Sequence, residues 1–211
     1  MAPSNNRAEL DRLLQTRNEH PEKAAEIDAA IHRAFSQTHA VLVLDMSGFS
    51  RLTVRYGIIH FLAMMHRLHI IALPLINQHQ GKLIKQEADN LFAVFPTVAL
   101  AVEAAVDLLK TLAAVNTGLP DSLDLFASIG IGYGEVLMVE DSDMYGSEMN
   151  LASKLGEDLA RSGEILLTEA AFTQIDPVDP ASDRWEELEF SVSGLQLMTH
   201  KRLWQGSRDR F

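Results

Sequence analysis

Two aspartates carry the strongest chemical signal in this sequence. Asp45 ends the apolar, β-branched run at residues 41–45, and Asp89 sits in a Glu87-Ala88-Asp89-Asn90 turn. That turn lies between Leu83-Ile84 and the apolar run Leu91 to Phe95, which read as two paired strands. If adjacent strands deliver both carboxylates, they stand roughly 4 Å apart and repel by about 4 kcal/mol at an effective dielectric near 20. A divalent cation removes that penalty. Hard oxygen ligands with positions left open suit Mg²⁺ or Mn²⁺, and two such ions suit phosphoryl chemistry. Aspartates at strand ends are also common in a chain this acidic, so an ordinary surface role stays open for the pair. After Asp45 the Ser47-Gly48-Phe49-Ser50 loop opens into helical sequence, and amides at a helix N-terminus suit a phosphate. Lys85 lies across the hairpin turn from Asp89.

The elements that must position these groups follow from periodicity. Residues 1–6 read as disordered. Leu10, Leu13 and Leu14 mark a helix over Arg7 to Arg17, and Ala24, Ile27, Ile31 and Phe35 mark a second one after His20-Pro21. This arm, residues 1–37, has an apolar stripe that must pack on its own domain or serve as a dimerisation or signal-relay arm. Arg51 to Gln78 reads as helical, broken near Gly57 and ended or kinked at Pro74. His60, His66 and His69 there have no acids at ligand spacing and read as surface or packing residues. Thr97 to Val115 is a helix, and Leu123 to Val139 is expected to be a strand pair turning near Gly132-Tyr133-Gly134. Asp143 to Arg161 reads as a loop and then a helix, with Met149, Ala152, Leu155 and Leu159 inward. Asn150 and Lys154 share a neighbouring face, where Lys154 can also pair with Glu157 or Asp158. Glu164 to Thr168, Trp185 to Val192 and Leu197 to Trp204 read as strands, with an acidic loop at 176–183. The resulting α/β (α+β) class is a ferredoxin-like split βαβ core at residues 38–205, with helices on one sheet face, an N-terminal helical arm, and a tail at 206–211.

Composition bounds the partners. The 211 residues hold 18 lysines and arginines against 29 acids, a net charge of −11 that leaves no broad basic face for nucleic acid. With no cysteine there is no disulfide framework or thiolate metal site. No apolar signal segment opens the chain, and histidines, Arg67 and Pro74 interrupt its most apolar stretch, Ile58 to Ile76. A cytoplasmic protein without membrane insertion is the simplest expectation.

Three motifs occur in order: Asp45-x-x-Gly48-Phe49-Ser50; then Ile84-Lys85-x-x-x-Asp89-x-x-x-x-x-Phe95; then Tyr145-Gly146-x-x-x-Asn150-x-Ala152-Ser153. Together, over about Ala40 to Phe172, they resemble the catalytic domain of class III nucleotide cyclases; the Ile-Gly-Ile-x-x-Gly-Glu-Val run, Ile129 to Val136, fits as well. The resemblance implies a head-to-tail homodimer with two composite sites that makes cyclic AMP and pyrophosphate from ATP. Asp45 and Asp89, with the Met46 carbonyl, would hold two Mg²⁺ or Mn²⁺ ions, one activating the ribose 3′-hydroxyl and both stabilising charge on the α-phosphate. Amides of Ser47, Gly48 and Phe49 would hold phosphates. Asn150 would orient the ribose, while Asp143 accepts from the adenine amine and Lys85 donates to a ring nitrogen, a pair that favours ATP over GTP. Two positions depart from the family pattern: Lys154 stands where an arginine is usual, and Ser193 where many members have lysine. Lysine keeps the charge but loses the planar fork that grips phosphate oxygens. These departures favour the alternative, a catalytically weak or inactive nucleotide-binding regulatory module. A diguanylate cyclase is the third candidate, but its Gly-Gly-acid-Glu-Phe turn is absent at Glu87 to Leu91.

Overall fold

The computed structural model describes residues 4–175, 185–192 and 195–203, with backbone only at 49–51, 192 and 195. Helices α1 (Arg7–Glu19) and α2 (Ala24–Phe35) precede strand β1 (Ser36–Met46). Then come α3 (Phe49–Tyr56), α4 (Ile58–Gln78), the β2 (Lys82–Glu87) and β3 (Asn90–Phe95) hairpin, and α5 (Val98–Asn116). Strands β4 (Ala127–Val139) and β5 (Asp143–Tyr145) lead into α6 (Ser147–Lys154), β6 (Ile165–Thr168), α7 (Glu169–Phe172), β7 (Trp185–Val192) and β8 (Leu195–Arg202). The sheet runs β2-β3-β1-β4-β6-β8-β7, with β5 paired to β4 off that path.

β1 is central because its whole apolar run is buried, with antiparallel partners on both sides. Leu42, Leu44 and Met46 face one layer, where α4 contributes Phe61, Met64 and Leu68 and α5 contributes Ala105, Leu108 and Leu112. Thr97 caps α5, its hydroxyl oxygen accepting from the Leu100 amide. The helical stretch breaks at Gly57 as expected, φ +86°, and α4 then continues through Pro74. By length and composition α4 could cross a bilayer, yet its Phe61, Met65, Ala72 and Ile76 side chains go into this core.

Three expectations need correction. Helices cover both sheet faces: Val41 and Val43 point the other way and meet Met149 and Ala152 of α6. The Gly132-Tyr133-Gly134 segment does not turn. β4 is one 13-residue strand, in unbroken antiparallel register with β1 from Ser36↔Leu137 to Met46↔Ala127. Its glycines serve close approach instead: a Cβ on Gly130 would lie 2.0 Å from the Ala152 carbonyl oxygen, and one on Gly132 2.5 Å from that of Glu148. Of residues 1–6, the described ones are tied down: the Asn5 side-chain amide donates to the Met138 carbonyl, and Asn6 caps α1 by accepting from the Glu9 amide.

The arm's stripe packs on its own domain. Leu10, Leu13, Ile27, Ile31 and Phe35 form one buried cluster with Val139, each such side chain contributing about 1.5–3 kcal/mol.

Candidate active site

The register of β1 brings the two aspartates to one sheet end. Asp45 pairs with Asn90 of β3 on one side and Ser128 of β4 on the other, so the β2–β3 turn carrying Asp89 lies alongside. The Met46 amide donates to the Asp89 carbonyl at 3.1 Å, and the Met46 side chain is buried, leaving its backbone for the site. Burial, then the charges of Asp89, Glu157 and Asp158, pushes the Asp45 carboxyl up to about 7. Burial and the neighbouring carboxylates both disfavour the charged form. Asn90 donates to Glu157 at 3.1 Å, while its own amide oxygen is buried with no hydrogen-bond partner. Two hard carboxylates beside an unsatisfied oxygen fit a divalent cation of Mg²⁺ or Mn²⁺ type. Among the described residues no group of three or more His, Asp or Glu is arranged to hold a metal, so a cation here would rest on this pair and nearby backbone.

The loop expected to hold phosphates, Ser47 to Phe49, has one of its amides already engaged. The Ser47 amide donates to the Phe126 carbonyl at 2.8 Å, whereas Gly48, at φ +88°, turns the chain into α3, which begins at Phe49. The left-handed turn requires glycine. It leaves the Gly48 and Phe49 amides at the helix N-terminus.

Lys85 and Asp143, 58 residues apart, meet at 2.9 Å, Nζ to Oδ1, with side-chain exposures of only 16% and 19%. Lys85 also bonds Glu87 at 2.9 Å and stands 4.9 Å above the Phe92 ring. Burial alone would raise the Asp143 carboxyl, but hydrogen bonds from Tyr145, Lys85, Arg7 and the Met144 amide outweigh it and hold it at about 2. Burial would likewise lower Lys85, and its bonds to Asp143 and Glu87 raise it instead. Both groups are therefore fully charged at neutral pH.

Asn150 is exposed on α6, whose N-terminal turn closes with the Asn150 amide on the Gly146 carbonyl. Lys154 ends the helix and binds Asp158 at 2.9 Å, within its own chain segment. There the helix widens into a π turn, Leu155–Leu159, beside Gly156, on which a Cβ would lie 3.0 Å from the Val43 carbonyl oxygen. The π turn directs Glu157 to Asn90 and half-buries Leu159. Ser193 and the acidic loop at 176–183 lie outside the described residues. Two of the three histidines engage other partners: His60 contacts the Ser122 carbonyl and His69 the Gln86 side chain. The sequence names Arg7, Tyr145 and Glu157 but not their contacts at the site: Arg7 and Tyr145 with Asp143, and Glu157 with Asn90. Arg7 had one local signal, the Asn6-x-x-Glu9 cap that fixes where its helix starts.

No protein-family model matches the chain. It is 31% identical over 159 residues to a Rhizobium meliloti (strain 1021) protein named "Putative adenylate cyclase 3", a match covering 72% of this chain and only 27% of that relative's length. It superposes on an adenylate/guanylate cyclase/hydrolase from Silicibacter pomeroyi with TM-score 0.66 at 23% identity, over 81% of this chain and 98% of that one. It does so on the adenylyl cyclase CyaB from P. aeruginosa with TM-score 0.62 at 19% identity, over 83% and 99%. At these identities the structural likeness is one of fold.

Proposed function

On the premise that this chain carries a domain of the class III adenylate/guanylate cyclase fold, we propose that it converts ATP to 3′,5′-cyclic AMP and pyrophosphate at composite sites in a homodimer. The observation that carries the ATP preference is the part-buried pairing of Lys85 with Asp143 at 2.9 Å. A charged carboxylate accepts from the exocyclic amine of adenine, and the lysine donates to a ring nitrogen. Guanine presents a carbonyl where adenine has the amine, and Asp143 repels it.

Asp45, Asp89 and the Met46 carbonyl are the residues that would hold Mg²⁺ or Mn²⁺. Such cations, when bound, lower the charge on the triphosphate and on the attacking oxygen. The Gly48 and Phe49 amides and the positive end of α3 hold phosphate oxygens. Asn150, exposed on α6, orients the ribose so that its 3′-hydroxyl faces the α-phosphorus. The oxygen attacks, the bond to the β-phosphate oxygen breaks, the hydroxyl proton passes to solvent, and pyrophosphate leaves. Lys154 supplies one positive charge to the phosphates once it leaves Asp158. Its exposed helix face suits reaching across to a second copy.

One observation favours a second reading, a nucleotide-binding regulator without turnover: Lys154 is tied to Asp158. The deciding measurement is product formation from ATP and from GTP, with Mn²⁺ and then Mg²⁺, at dimer-favouring concentrations. Cyclic AMP from ATP that vanishes in Asp89→Ala supports the enzyme. Metal-dependent ATP binding with no product refutes it in favour of the regulator.

A further inference from the structure

We infer that the N-terminal arm competes with the nucleotide base for Asp143, and that Arg7 is the competing group. The inference rests on the reading of Asp143 as acceptor of the adenine amine.

A carboxylate offers about four lone-pair sites. In Asp143 four donors use them. Oδ1 accepts from Lys85 Nζ and from the Met144 amide, both at 2.9 Å. Oδ2 accepts from the Tyr145 hydroxyl at 2.5 Å and from the Arg7 guanidinium. Three of these donors belong to the site's own strands, β2 and β5. Arg7 comes from α1, 136 residues away in sequence. With the arm docked, the exocyclic amine of adenine finds no free acceptor position.

Arg7 is placed to be both held and released. Its guanidinium also donates to the Tyr145 hydroxyl at 2.8 Å and lies 5.5 Å from that ring. Its backbone amide donates to Glu140 at 3.3 Å, and Asn5 brackets the same β4–β5 turn through the Met138 carbonyl and the Glu140 amide. The arm thus starts on the turn that leads to Asp143. The side chain itself remains 43% exposed, against 16% for Lys85, and it sits on the arm rather than on the site's own strands, so Arg7 can leave at less cost than Lys85. Its departure leaves three donors on the carboxylate and one lone pair for the base. Linkage makes the effect reciprocal: docking weakens adenine binding, and adenine loosens the arm. Guanine, which brings no amine to this position, gains nothing from the release.

The test uses the full chain, Mn²⁺, and 3′-deoxy-ATP or 3′-deoxy-GTP, which lack the attacking hydroxyl and report binding without turnover. Calorimetry on Arg7→Ala is expected to show 3′-deoxy-ATP bound about 3- to 10-fold more tightly than in wild type, with 3′-deoxy-GTP unchanged and Arg7→Lys nearer to wild type. Hydrogen exchange over residues 7–19 of the wild type is expected to speed up when 3′-deoxy-ATP is added. Equal or weaker binding by Arg7→Ala, where Asp143→Asn does weaken binding, overturns this inference alone. Binding that Asp143→Asn leaves unchanged overturns the base-reading role and the inference with it. A gain shared equally by both nucleotides overturns the competition for Asp143.

Discussion

Replacing Asp45 by asparagine should stabilise the metal-free protein at alkaline pH while abolishing its proposed chemistry. The Asp45 carboxyl ordinarily titrates near 3.8 and is pushed up to about 7 here by burial and by Asp89, Glu157 and Asp158. The folded state therefore holds a proton that the unfolded chain has lost between those two values. Stability is fully present below about 4, falls as pH rises, and levels off above about 7. At about 1.4 kcal/mol per pH decade the upper bound is about 4 kcal/mol. Asp45 is only half-buried, so solvent screening brings the expected value to about 1–2 kcal/mol. Thermal unfolding in EDTA should show Asp45→Asn melting about 2–8 °C above wild type at pH 8, with the gap narrowing steadily toward pH 5. Saturating Mn²⁺ should close the gap, since the cation stabilises the wild type by binding its folded state. A gap independent of pH, or absent at pH 8, would refute the account of Asp45 as an uncompensated charge.

Other substitutions probe the remaining parts. Lys154→Arg restores the bidentate fork, and kcat in a coupled pyrophosphate assay should rise by about tenfold or more with KM little changed. An unchanged or lower kcat would show that this position does not meet the transferring phosphate. Gly130→Ala sets a Cβ 2.0 Å from the Ala152 oxygen and 2.7 Å from the Gly156 amide nitrogen, backbone atoms that cannot swing aside. Urea denaturation should register a loss of about 1–3 kcal/mol or more, with turnover falling as α6 and its Asn150 shift. Wild-type stability in that variant would mean that α6 is not seated as described.

Much of the site could be read in the sequence because its signals are local. The apolar run before Asp45, the polar hairpin turn around Asp89 and the helix break at Gly57 each follow from neighbouring residues, and each stands where expected. β4 was misread for an equally local reason. A Gly-Tyr-Gly segment carries turn residues, and only the helix packed over it reveals that the missing side chains make room. The π turn after Lys154 was hidden because helical periodicity fits its buried Leu155 equally well. Arg7 could not be found by any spacing rule, since its partners Asp143 and Tyr145 lie in a strand 136 and 138 residues on. Asn5 and Asn6 look like an idle leader until the Ala34 and Met138 carbonyls that Asn5 binds, and the Glu9 amide that Asn6 caps, are in place.

The short pairing of β5 has a consequence for how the molecule opens. β1, which carries Asp45, is clamped between β3 and β4 from Ala40 to Asp45, whereas β5, which carries Asp143, is three residues long and pairs with the end of β4. Local opening draws on the least secured parts of a structure. The end of the sheet that gathers negative charge is thus set in the stiff frame. The end that carries Asp143 lies, with the arm, on its margin. In the proposed reaction, fluctuations that admit or expel a nucleoside would run there without disturbing the carboxylates, so that selection of the base and activation of the phosphate would proceed on separate timescales within one small domain.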